Sequence, residues 1–136
     1  MKPMDTHARK LGVLVVDDDE LVATTTCMIL NRTGFEGVFA FNAEDALLLA
    51  QAYEFDILLT DVMMEPTNGI QLAVAFQNHY PKAKVILFSG NERTADLLIS
   101  AARTGHNFPV FAKPVAPLQL IEQLQAREAA MPLFTD

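Results

Sequence analysis

A chain of 136 residues with 51% apolar content is long enough for one domain with a sizeable core and too short for two. Its net charge of −7, with no run of Lys and Arg, argues against a nucleic-acid surface, which needs clustered cations. The lone Cys27 excludes an internal disulfide, and no apolar run approaches the ~20 residues of a membrane-crossing helix, so no membrane is expected as a partner. The opening MKPMDTHARK lacks the apolar stretch of a signal peptide, which makes the cytoplasm the expected compartment.

Residues 1–9 are polar and aperiodic and read as a flexible lead-in, with a single domain over 10–131 and a tail over 132–136. Leu11 to Val16 is a continuous apolar run of the kind found in central parallel strands. Asp17, Asp18, Asp19 and Glu20 then open a segment to Thr33, closed by Gly34, whose apolar positions Val22, Ile29 and Leu30 suit a helix. The acids suit the positive end of that helix, while the triplet Thr24, Thr25, Thr26 works against it because β-branched side chains lose rotamer freedom there. Gly37 to Phe41 reads as a second strand, and Asn42 with Asp45 three residues on marks the start of a helix to about Ala52.

Asp56 to Thr60 is the predicted third strand, delivering Asp61 to a loop with Pro66 and Gly69, and a helix follows over Gly69 to His79. After the Tyr80-Pro81 break, Lys84 to Ser89 forms the fourth strand and Thr94 to Thr104 the fourth helix, stopped by Gly105. Val110 to Ala112 makes a brief fifth strand, and Pro117 starts a last helix to about Met131. Five alternating strand-helix units are too few for a closed barrel, which takes eight. They favour an open, doubly wound α/β sheet with helices on both faces, for which 2-1-3-4-5 is a common strand order.

That order has a chemical consequence. The crevice of such a sheet opens at the carboxyl ends of strands one and three, where Asp17, Asp18 and Asp61 lie. Three converging carboxylates repel one another and call for a cation. An oxygen-only set without His or Cys suits Mg²⁺. Strands four and five bring the Ser89 hydroxyl and the Lys113 ammonium to the same end, so the set as a whole can hold a phosphoryl group for in-line transfer.

These residues sit in the stretches LVVDDDE, DILLTDVMMEPTNG, VILFSG and FAKP, which in this order and spacing resemble the receiver domains of bacterial two-component response regulators over roughly Leu11 to Met131. The resemblance implies a flavodoxin-like (βα)5 fold and a phosphoacceptor that is not an enzyme in its own right. It implies that Asp61 is phosphorylated by a histidine kinase or phosphotransfer protein. Asp17, Asp18, Asp61 and the backbone carbonyl of Met63 would hold Mg²⁺, with Ser89 and Lys113 on the phosphoryl group. It further implies a cis Lys113-Pro114 bond and phosphorylation-dependent binding of a partner or second copy through the face of helix four, strand five and the last helix. Three features depart from the family. Glu65 followed by Pro66 stands where a Pro four residues after the acceptor is usual, and Val110 stands where an aromatic switch residue is common, flanked by Phe108 and Phe111. The run Gly105 to Lys113 is longer by about one residue.

Each piece alone has a plainer reading: acids at a helix start, a turn-forming aspartate, a Ser-Gly turn and a solvated lysine. Their placement at four strand ends is what raises them above it. Two other classes share part of this pattern. The Asp17-x-Asp19 spacing fits a haloacid dehalogenase-type phosphohydrolase, but Glu20-Leu21 follow where Gly and Thr-like residues belong; an FMN-binding flavodoxin would need a phosphate loop where this chain has four acids. His7, His79 and His106 are scattered and carry no site, and Cys27 reads as a packing residue. In the fourth helix Leu97, Leu98 and Ile99 are consecutive and cannot all face the sheet, so one of them, Leu97, is expected to face outward.

Overall fold

The structure, a computed structural model, describes residues 10–90, 94–113, 116 and 118–125. Five parallel strands, β1 (Leu11–Val16), β2 (Phe35–Ala40), β3 (Ile57–Asp61), β4 (Lys84–Ser89) and β5 (Val110–Ala112), form one sheet in the order β2-β1-β3-β4-β5. The helices are α1 (Glu20–Arg32), α2 (Ala43–Ala52), α3 (Gly69–His79), α4 (Thr94–Arg103) and α5 (118–125). The sheet is the expected doubly wound one. Alternate strand residues feed two cores: Leu14, Val16, Leu58 and Leu87 meet α2, α3 and α4 on one face, and Val13, Val15, Leu59 and Ile86 meet α1 and α5 on the other. Burying both faces of the central strands requires the unbroken apolar runs seen in the sequence.

The differences from expectation are local. α1 starts at Glu20 because the Asp19 carboxylate accepts from the amides of Leu21 and Val22, leaving Asp17 and Asp18 ahead of the helix. Its buried positions are Ala23, Cys27 and Leu30, whereas Val22 faces outward. Within the threonine triplet the Thr24 hydroxyl donates back to the Glu20 carbonyl at 2.8 Å, which satisfies that hydroxyl inside the helix. β2 begins at Phe35, two residues before the expected start and opposite Leu11, and stops at Ala40. β3 runs from Ile57 through Asp61, so Asp61 is the last residue of the strand rather than the first of the loop. Asp56 sits outside the strand and bridges its neighbours, exchanging bonds with the Gly12 main chain and accepting from the Lys84 amide.

α3, β4 and β5 match the expected bounds. α4 ends at Arg103, one residue early, in a Schellman turn: His106 donates to Ala101 and Gly105 to Ala102, with Gly105 at φ +87°. Among the described residues the last helix covers 118–125. The expectations for the lead-in, the tail, Pro117, the Lys113-Pro114 bond and the helix as far as Met131 lie outside them. The Glu65-Pro66 bond is cis. On α4, Leu97 and Leu98 are half-buried against the core and Ile99 is the exposed one, at 52%, which corrects the expectation for Leu97. No described helix is long and apolar enough to cross a membrane.

Candidate functional site

β1 and β3 end side by side, and the acids that follow them meet. Asp17 donates its amide to the Ala40 carbonyl of β2 at 3.2 Å, which holds the chain in sheet direction one residue past β1. Asp17 as a residue is 3% exposed, and Asp61, at 7%, is almost as deep; Asp18 is exposed. One carboxylate oxygen from each of Asp17, Asp18 and Asp61 can be chosen so that all lie within 4.8 Å of one another. Asp19 does not join them, since its carboxylate caps α1 and its amide donates to Asp17 at 2.9 Å. The Asp17-x-Asp19 pair therefore does not converge on one ligand.

Lys113 enters from the other side. β5 pairs with β4, and the Lys113 amide donates to the Ser89 carbonyl at 2.9 Å, which fixes the lysine just past the strand end. Its ammonium lies 2.9 Å from Asp17 Oδ2 and 3.4 Å from Asp61 Oδ1. Ser89 is the last residue of β4, half-buried, and directly follows Phe88, the register partner of Asp61. Met63 lies two residues beyond Asp61, half-buried against the core shared with α2 to α4. The structure thus joins Asp17, Asp18, Asp61 and Lys113 directly, and places Ser89 and Met63 on the adjoining backbone.

The electrostatics follow from that crowding. Burial pushes the Asp61 carboxyl above its usual value; the charges of Asp17 and Asp18 add to this, and Lys113 opposes it. For Lys113 burial works toward the neutral amine, but the hydrogen bond and charge of Asp17 and the charge of Asp61 outweigh it, so the ammonium is held more firmly than usual. A cluster of three acids against one lysine is short of positive charge. Oxygen donors with no His or Cys among them fit a hard divalent cation. A concavity of about 510 Å³ lined by residues including Leu11, Phe55, Tyr80 and Ala83 lies at the opposite end of the sheet and takes no part in this chemistry.

Two residues that pattern reading passed over shape the site. Thr60, fully buried, donates its hydroxyl to the Asp61 carbonyl at 2.9 Å. Gly69, read from the sequence as a turn glycine and helix start, packs against the Asp61-Val62 backbone. Neither leaves a periodicity signal, because one looks like any strand residue and the other like any turn glycine. The aromatic residues near β5 divide by parity. Val110 and Phe108 pack on the α2–α4 side, whereas Phe111 faces the opposite core, 6.3 Å from Phe88. Phe111 is therefore on the wrong face to substitute for an aromatic at Val110.

Residues 13–125 match the response regulator receiver domain family. The chain is 34% identical over 109 residues to a response regulator receiver protein of Anaeromyxobacter sp. (strain Fw109-5), covering 80% of this chain and 45% of that protein. It is 32% identical over 88 residues to the autoinducer 1 sensor kinase/phosphatase LuxN of Vibrio campbellii, covering 63% of this chain and 10% of that protein. It spans about half the length of the first curated relatives that it matches. In fold it is similar to a CheY-like response regulator receiver domain protein of Methanospirillum hungatei, with TM-score 0.78, 24% identity, and coverage of 88% of this chain and 94% of that one. Because the family match runs unbroken through the strands that carry the acids, Ser89 and Lys113, the chain belongs to the response regulator receiver domains, signalling modules of two-component systems.

Proposed function

We propose that Asp61 is the phosphoacceptor of this receiver, taking its phosphoryl group from a phosphohistidine on a sensor kinase or phosphotransfer protein. The observation that carries this is the convergence of Asp17, Asp18 and Asp61 on a lysine ammonium 2.9 and 3.4 Å away. In the transfer an Asp61 carboxylate oxygen forms a bond to phosphorus as the phosphorus–nitrogen bond of the donor breaks. Asp61 is the only one of the three acids that ends a strand, at the mouth of the β1/β3 crevice, and is held with its backbone fixed. Asp17 and Asp18, with Asp61 and the Met63 carbonyl, would hold Mg²⁺, which supplies charge neutralisation for the transferring group. Lys113 leaves its two carboxylate partners for the phosphoryl oxygens, and Ser89, at the adjoining strand end, donates its hydroxyl to another. The domain accelerates only its own phosphorylation and dephosphorylation and acts as a switch rather than an enzyme.

LuxN is named a sensor kinase/phosphatase and contains a segment matching this chain, which supports a kinase as the donor. Output leaves through the face of α4, β5 and α5, to a protein partner or a second copy of the chain. Movement of Ser89 toward Asp61 displaces the carboxyl end of β4. With Val110 in place of a ring, and Phe111 facing away, displacement of α4 is the relay. The test is uptake of phosphate from acetyl phosphate with and without Mg²⁺ in wild type and Lys113→Ala. Uptake that needs Mg²⁺ and falls by at least about tenfold in Lys113→Ala is expected. Equal uptake without the cation or without the lysine overturns the assignment.

A further inference from the structure

The Asp61-Val62 main chain is held from three directions. From within β3, the buried Thr60 hydroxyl donates to the Asp61 carbonyl at 2.9 Å. From β4, the Phe88 carbonyl accepts the Val62 amide at 3.0 Å, and from α3 the Gly69 amide donates to the Val62 carbonyl at 2.8 Å. α3 cannot back away easily. Asn68 and Gln71 form a reciprocal capping box at 2.8 and 2.9 Å that fixes Gly69 as the first helical residue, and Ile70, Leu72, Ala73 and Phe76 bury the same helix in the core.

The approach of Gly69 is closer than any other residue could make. A Cβ at that position would stand 1.9 Å from the Asp61 carbonyl oxygen, 2.8 Å from its carbonyl carbon and 2.9 Å from the Val62 Cα. All three are backbone atoms, so no side chain can rotate aside to admit it. Backbone conformation does not demand the glycine, because the positive-φ glycines are Gly34 and Gly105. Space does.

We infer that Gly69 and Thr60 are positioning residues for phosphoryl transfer: together they set the Asp61 peptide, and through it the direction of the carboxylate toward Lys113, Asp17 and Asp18. The inference rests on Asp61 being the acceptor. Its reason is geometric. The Asp61 Oδ1 to Lys113 distance of 3.4 Å is an ion pair already longer than a good hydrogen bond, and a reacting carboxylate tolerates little further displacement. A methyl group at position 69 must push either α3 or the Asp61 peptide, and the capping box and core resist the first.

The experiment uses Gly69→Ala, Thr60→Val and Thr60→Ser in the full chain, at a temperature where circular dichroism shows each variant folded. Initial rates of labelling by acetyl phosphate, the half-saturating Mg²⁺ concentration, and hydrogen exchange of the Val62 amide without metal are measured. Gly69→Ala and Thr60→Val should slow labelling roughly ten- to a hundredfold per folded chain and raise the Mg²⁺ requirement, with faster Val62 exchange. Thr60→Ser, which keeps the hydroxyl, should stay near wild type, a rescue that a merely structural role of the side-chain volume would not give. If Gly69→Ala fails to fold, the Thr60 pair decides alone. Wild-type rates in Thr60→Val, or equal losses in Thr60→Ser and Thr60→Val, overturn the inference. A wild type that takes up no phosphate removes the acceptor reading and this inference with it, whereas a labelled wild type with unaffected variants removes this inference only.

Discussion

At Asp61 a charge is kept where burial and two neighbouring acids disfavour it and one lysine favours it. A carboxyl whose pKa is raised by folding binds more protons in the native than in the unfolded chain between the two values. Stability therefore falls as pH rises through that window and stays lower above it. Asp61→Asn removes the penalty. At neutral pH without divalent cation the variant should unfold at a higher temperature than wild type, and the gap should close as pH falls toward the ordinary aspartate value of 3.8. A variant less stable than wild type at neutral pH would mean that the Lys113 pair outweighs burial and repulsion. Lys113 shifts stability in the same direction but at alkaline pH: its ammonium is stabilised by folding, so that contribution is complete below 10.5 and is lost as pH rises through the higher folded value.

If Asp61 is the acceptor as proposed, Met63 bears on how long a phosphoryl group would last there. Hydrolysis needs a water aligned with the bond to be broken, and the resemblance to receivers implies that its path runs beside Met63 and Asn91, the second lying outside the described residues. A thioether cannot orient water as a carboxylate or amide does. Met63→Glu or Met63→Gln should shorten the lifetime of the phosphorylated form, and an unchanged decay rate in both would remove the argument.

Among the elements, α3 was legible because a turn with Pro66 and Gly69 precedes it and Tyr80-Pro81 ends it, whereas the Asn68–Gln71 capping box that fixes its start emerged only from the structure. β2 was not legible at its start. Phe35 follows the helix-ending Gly34 directly, and an edge strand with Glu36 and Phe39 exposed lacks the unbroken apolar run of its neighbours. The outward residue of α4 was misjudged for a reason visible afterwards. Ala101 is buried and lies four residues from Leu97 and three from Leu98, so these share one face and Ile99 falls off it. Leu97→Asp should accordingly cost about 2 kcal/mol or more of stability, while Ile99→Asp should stay within about 0.5 kcal/mol. Urea titrations of the two variants separate these cases, and equal losses would contradict the packing. If α4 carries the output, Ile99→Asp, with its fold intact, should weaken self-association or partner binding in the phosphorylated state only.

At the scale of the molecule, strand order was readable because five alternating units leave few right-handed solutions, and the β1/β3 crevice then fixed which acids meet. The Asp17-Asp18 pair, Asp61 and Lys113 are far apart in sequence, yet each follows or ends an apolar strand, so topology alone brings them together. What topology could not convey was distance: the contact between Gly69 and the Asp61 carbonyl depends on how closely α3 seats, and no periodicity encodes it. The division of labour among the acids was equally hidden, since Asp19 differs from Asp17 and Asp18 only in meeting the first free amides of α1. The most direct test of the acceptor assignment is to label the chain with acetyl phosphate and Mg²⁺, reduce it with borohydride, and map the modified residue by mass spectrometry. Borohydride converts an aspartyl phosphate to homoserine. Homoserine at position 61, absent from Asp61→Asn, is the predicted result; homoserine at Asp17 or Asp18, or none at all in a labelled chain, would contradict it.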